Sequence, residues 1–156
     1  IDRGSKDMRT CEIYVIKREV AECFYGREDK IFRLFQQYEQ CSSTLKAIIE
    51  KQIEYITEPV PVMKIQHAVK KHLMVQTGYK EGYFKYFIEL PKSKGKLMIS
   101  LKKLVIISEG TLDAEMTFFE AIRKIQLPFI AIDLKNERYG WLHPLKDLNF
   151  AESPFY

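Results

Sequence analysis

Glu12-Ile13-Tyr14-Val15-Ile16-Lys17 reads as a strand, through its alternation and its content of Tyr, Val and Ile. It runs straight into Arg18-Glu19-Val20-Ala21-Glu22-Cys23-Phe24-Tyr25, a helix of barely two turns that Gly26 ends. A helix commonly stops at a left-handed residue, a conformation that glycine adopts at least cost. At about 100° per residue Val20 and Phe24 share one stripe, while Tyr25 points well away from it. A small core can bury one stripe of so short a helix. The second aromatic surface must be covered by other parts of the fold or by a partner.

An early strand needs neighbours, and the other β-rich segments all lie in the second half of the chain. Tyr83-Phe84-Lys85-Tyr86-Phe87-Ile88-Glu89-Leu90 reads as one strand. Lys96 to Ser100 and Leu104 to Ser108 are two more, joined by a turn at Lys102-Lys103. Phe129 to Leu134 and Arg138 to Leu142 pair across Asn136-Glu137. The middle is helical. A helix from Arg27 has Glu28 and Asp29 at its positive end and Ile31, Leu34, Phe35 and Tyr38 on one stripe, with Phe32 off it. Another follows Ser42-Ser43-Thr44 and carries Leu45, Ile48, Ile49, Ile53 and Ile56 up to Pro59. A third runs from about Met63 to Met74 with Ile65, Val69 and Leu73 inward. Gly110 and Thr111 introduce a last one, with Leu112, Met116, Phe119 and Ile122 as its stripe.

Strands at both ends with helices between predict an α/β (α+β) fold. The expectation is a single compact domain: a mixed, mostly antiparallel sheet of about five to six strands, packed with about four to five helices. The domain is expected to span residues 8–150. Residues 1–7, with Arg3-Gly4-Ser5, read as a vector remnant before a natural start at Met8, and 151–156 as a C-terminal tail. A chain of 156 residues with 46% apolar content can bury a real core. No apolar run approaches the roughly 20 residues that span a bilayer, and the first residues hold no signal-peptide core. A soluble, cytoplasmic protein without membrane contact is expected.

Cys11, Cys23 and Cys41 lack any CxxC spacing, and His67, His72 and His143 do not complete a ligand set, so no metal is expected. The cysteines read as reduced and half-buried. There is no GxSxG, no glycine-rich loop opening a βα unit and no GxxxxGK[ST]. His143 is expected to pack beside Trp141. The carboxylate pairs Glu28/Asp29 and Asp113/Glu115 sit at helix starts, where the dipole accounts for them. No catalytic residue and no cofactor follow, and the chain is read as a non-enzyme. The net charge of +4 is mild. Lys92-Ser93-Lys94-Gly95-Lys96 reads as a solvated turn, and a small basic nucleic-acid-binding module is the alternative reading.

One helix carries an anomaly. With Leu45 at zero, Ile49 falls near 40°, Ile56 near 20° and Gln52 near 340°, so Gln52 lies inside the apolar stripe, with Tyr55 about 80° off its centre. Either Gln52 is a satisfied buried amide and Tyr55 caps the core edge, or this side faces a partner that supplies the missing bonds.

Ile16-Lys17, Phe24-Tyr25-Gly26-Arg27-Glu28, Glu50-Lys51-Gln52-Ile53-Glu54-Tyr55-Ile56-Thr57, Leu90-Pro91-Lys92, Lys94-Gly95, Phe118-Phe119-Glu120, Arg123-Lys124 and Arg138-Tyr139-Gly140-Trp141-Leu142 together resemble the SirA family, sporulation inhibitors of replication in endospore-forming bacilli. The resemblance runs from about Cys11 to Phe150. It implies a regulator that binds the N-terminal domain of the initiator DnaA and hinders its action at the chromosomal origin, with no direct sequence-specific contact to nucleic acid. It also implies that Val20, Phe24, Gln52 and Tyr55 form the DnaA-facing surface. Phe24 stands where the family has an aromatic residue, often Tyr, and Val20 where it has Phe.

Overall fold

The computed structural model describes residues 8–143 except Thr77; the expectations for 1–7 and 151–156 lie outside the described residues. Chain order is β1 (Arg9–Ile16), α1 (Arg18–Cys23), α2 (Glu28–Gln40), α3 (Ser43–Ile56), β2 (Thr57–Glu58) and α4 (Val62–Leu73). Then come β3 (Lys80–Gly82), β4 (Lys85–Leu90), β5 (Ser93–Ile99), β6 (Leu104–Gly110), α5 (Asp113–Ile122), β7 (Phe129–Asp133) and β8 (Arg138–Trp141). The strands form one sheet in the order β3-β4-β5-β6-β1-β7-β8, and β2 pairs with the C-terminal end of β1. The α+β class is as expected. The sheet is larger, with eight strands among the described residues, and every pairing is antiparallel.

Alternation in β1 assigns the two faces, because successive side chains point to opposite sides. Cys11, Ile13 and Val15 join Leu97, Leu104, Ile106 and Phe129 beneath α4 and α5, where Ile65, Val69, Leu73 and Phe118 are fully buried. Tyr14 and Ile16 face the other way, with Ile130 and Ile132 of β7 against Ile31, Phe32 and Phe35 of α2. Helices α1, α2 and α3 therefore cover only the β1-β7-β8 side of that second face. Phe32, off the main stripe of its helix, is covered by Tyr139 of β8, with ring centroids 4.7 Å apart.

The expected single strand 83–90 is a hairpin. Gly82 pairs with Lys85, and Tyr83-Phe84 form the turn. Phe84 takes a left-handed backbone (φ 53°), with the Tyr83 ring edge-on to its own. The lysine run 92–96 is not a solvated turn either. Ser93 to Lys96 belong to β5, Ser93 is buried, and Gly95 lies under α5. On α5 the expected stripe holds for buried Ile122 and half-buried Phe119 but not at its start. Ala114, Phe118, Ala121 and Ile122 are buried, while Leu112 and Met116 are exposed. Two alanines and Gly95 let the helix approach the sheet closely. A stripe chosen by side-chain size misses such a face.

Glu115 corrects the dipole account of the Asp113/Glu115 pair. It is buried and accepts hydrogen bonds from Arg9 Nε (3.2 Å), Ser108 Oγ (3.1 Å) and Arg138 (3.4 Å). Arg138 also donates to buried Asp133 at 2.7 Å. The two buried carboxylates are thus satisfied by the half-buried Arg9 and by Arg138, which reaches in from the surface, as buried charges must be. Cys11 lies nearby; burial, then the Glu115 and Asp133 carboxylates, push its thiol up to about 12. A thiol held protonated is a poor nucleophile, which argues against thiol chemistry at this cysteine.

Candidate partner-binding site

Helix α1 buries only Ala21. Val20 and Phe24 are half-buried, resting on the α2 side of the core beside Ile53 and Ile56, and Tyr25 is 60% exposed. The helix ends as its composition dictates: the Phe24 N–H donates to Val20 O at 3.0 Å, and Gly26 takes φ +81°. Arg27 donates to the Cys23 carbonyl at 3.1 Å, and its guanidinium lies 5.3 Å from the Phe24 ring centroid. One face of the Phe24 ring is thus held against a cation.

Helix α3 meets α1 at its C-terminal end. The Lys17 N–H donates to Ile56 O at 2.9 Å, and Lys17 Nζ sits 4.7 Å from the Tyr55 ring centroid. Gln52 is not inside the buried stripe. That stripe is centred on Ile49, with Ile53 and Ile56 half-buried beside it, and Gln52 is exposed. Its amide reaches water and is not a satisfied buried amide. The apolar residues of α3 divide into two arcs. Ile49, Ile53 and Ile56 face the core, while Leu45 (48% exposed), Ile48 (54%) and Tyr55 (72%) share the outer arc with Gln52. Successive spacings of three, four and three residues put these four on one side of the helix. The four residues singled out from sequence are therefore not sealed in the core. They sit on two helices joined at Lys17, and Leu45 and Ile48 lie further along the same side of α3.

Glu28 is the residue that sequence reasoning undervalued. Its Oε1 accepts the Gly26 N–H at 3.1 Å and the Trp141 Nε1–H at 2.9 Å, fastening the α1–α2 turn to β8 across 113 positions of chain. Burial pushes this carboxyl up, but N–H donors from its own backbone, Trp141 and Gly26 outweigh that and hold it below its ordinary value. A carboxyl depressed in the fold contributes stability above its unfolded value, about 4.3, and that contribution is lost as pH falls through the lower folded value. Glu28→Gln is therefore expected to cost about 1–2 kcal/mol at pH 7, with the difference from wild type shrinking at pH 3. Thermal melts at the two pH values measure this. An equal loss at both would mean that the charge contributes nothing.

A family model described as sporulation inhibitor of replication protein SirA matches residues 9–146. The chain belongs to the SirA family. The sporulation inhibitor of replication protein SirA of Bacillus subtilis (strain 168) is 40% identical over 142 residues, covering 88% of this chain and 95% of the relative. Membership in the SirA family puts the chain among regulators that inhibit replication in sporulation, and not in a family of enzymes. Among the described residues no helix is long and apolar enough to cross a membrane, and no group of three or more His, Cys, Asp or Glu is placed to hold a metal ion.

Proposed function

We propose that the chain inhibits initiation of DNA replication during sporulation by binding the N-terminal domain of DnaA, through Val20 and Phe24 of the first helical segment and Gln52 and Tyr55 of α3. The observation that carries this reading is the outer arc of α3, where Leu45, Ile48 and Tyr55 stand in water and whose Tyr55 end is joined through Lys17 to the helix bearing half-buried Val20 and Phe24. Exposed apolar side chains repeated along one side of a helix, with an aromatic residue among them, are typical of a docking site. Gln52 lies within it, able to donate and accept at a buried interface. Titration calorimetry with the isolated DnaA N-terminal domain tests the reading. Saturable binding supports it, and no heat at micromolar concentrations would contradict it.

Val20 marks where this surface departs from the family pattern. Val20→Phe restores a large anchor on a half-buried position and is expected to tighten binding to the B. subtilis domain several-fold, about 1 kcal/mol. Calorimetry on the two proteins measures it; weaker binding by the Phe variant would mean that the partner pocket is shaped to valine. A nucleic-acid module would instead bind DNA without DnaA and with steep salt dependence. Gel shifts at two salt concentrations separate the readings. The proposed inhibitor leaves the DNA unshifted.

A further inference from the structure

On the flank of α3 away from the outer arc, a cavity of about 420 Å³ opens between α2, α3 and the sheet. That volume lies in the range of small-molecule sites, about 300–1,000 Å³. Its floor is apolar and aromatic: Tyr14 and Phe35, whose ring centroids lie 4.4 Å apart, with Ile53 and Tyr38 beside them. The Tyr38 ring already attracts an ammonium group, because Lys46 Nζ lies 4.7 Å from its centroid.

The rim has the opposite character. Glu39 of α2, Glu50 and Glu54 of α3 and Glu58 of β2 all line the opening. Among the described residues none of these four forms an ion pair within 4.0 Å. Glu12, deeper in, is neutralised by Lys103, and Lys102 stands on the far wall. Five glutamates thus line the cavity with two lysines, Lys46 standing against Tyr38 at its edge, in a protein whose net charge is +4. The excess is felt inside: burial, and then Glu12 and Glu39, push the Tyr14 phenol up.

Two features coexist here: an aromatic floor on which Tyr14, Tyr38 and Ile53 are only half-buried, and four rim carboxylates that form no ion pair among the described residues. A hard metal ion would relieve the second and leave the aromatic floor wet. An apolar ligand would do the reverse, and an anion would be repelled. An organic cation with a hydrocarbon body relieves both, its methylenes on the rings and its ammonium groups against carboxylates and ring faces.

We propose that this cavity binds an alkylpolyammonium ion, the methylene chain lying over Tyr14, Phe35 and Ile53 and the ammonium groups reaching Glu39 and Glu54. The site is independent of the DnaA-facing surface, so its failure would leave that reading untouched. Spermidine, titrated into the whole chain by calorimetry at physiological ionic strength, is the probe. One saturable site is expected, weakened roughly tenfold or more by combined Glu39→Gln and Glu54→Gln. Both side chains are exposed, so melting curves of the variant should match wild type. In wild-type protein, NMR shifts on adding spermidine should centre on Tyr14 and Ile53, and magnesium chloride at equal ionic strength should not displace the ligand. Shifts centred elsewhere, equal competition by magnesium, an unchanged affinity in the variant, or binding of a lysine-rich peptide without spermidine would each overturn the proposal.

Discussion

Phe24→Ala and Gln52→Ala, made separately, are expected to weaken binding to the DnaA N-terminal domain more than tenfold, about 1.4 kcal/mol or more, while the fold survives. The two losses have different origins. Phe24 gives ring area on a surface where Arg27 already fixes its orientation, so truncation removes an anchor that costs little entropy to place. Gln52 is exposed, and its removal costs the free protein little. In a complex it would leave a partner's buried polar group unsatisfied, a penalty of about 1–3 kcal/mol. Melting curves close to wild type, together with weak calorimetric heats, are the expected pair of results. Unfolding of both variants would assign the residues to the core, and wild-type affinity in both would move the docking surface elsewhere.

Phe118→Ala is expected to be the most destabilising single change considered, costing about 3–5 kcal/mol. Phe118 is fully buried between α5 and β5, and its ring lies 3.3 Å from where a Cβ on Gly95 would stand. The closeness that makes truncation costly also restricts additions. A methyl at Gly95 would meet the Ala114 Cβ at 3.2 Å, and Gly95→Ala is expected to cost about 1–3 kcal/mol. Urea unfolding of the single and double variants checks both values. The two positions touch, so their effects should not add. A loss under about 1 kcal/mol for Phe118→Ala would contradict the packing of α5 on the sheet.

The elements were largely legible because each obeys a local rule. Alternation marks β1, a helical period marks α4, with Ile65, Val69 and Leu73 fully buried, and Gly26 closes α1 in the left-handed conformation. What sequence hid depends on three-dimensional neighbours. The Tyr83-Phe84 turn carries no glycine at its left-handed position, so an aromatic run looks like one strand. The buried face of α5 takes in Ala114 and Ala121 beside Phe118 and Ile122, and alanines rank low by size although they allow close approach. Glu115 and Glu28 look like ordinary helix-start acids until the fold brings Arg9, Arg138 and Trp141 to them. On α3 the apolar residues exceed what one face can bury. A stripe centred on Leu45 falls between the two arcs and takes in Gln52. That excess was the legible sign of a second surface, although its direction was not.

On the reading proposed above, the outer face of α3, together with Val20 and Phe24, receives the DnaA N-terminal domain. NMR mapping of labelled protein, titrated with unlabelled DnaA domain, tests this most directly. The largest perturbations are expected at Val20, Phe24, Leu45, Ile48, Gln52 and Tyr55, with the α5 face silent. Perturbations confined to the β3-β4-β5 side of the sheet, with those six residues unmoved, would contradict it.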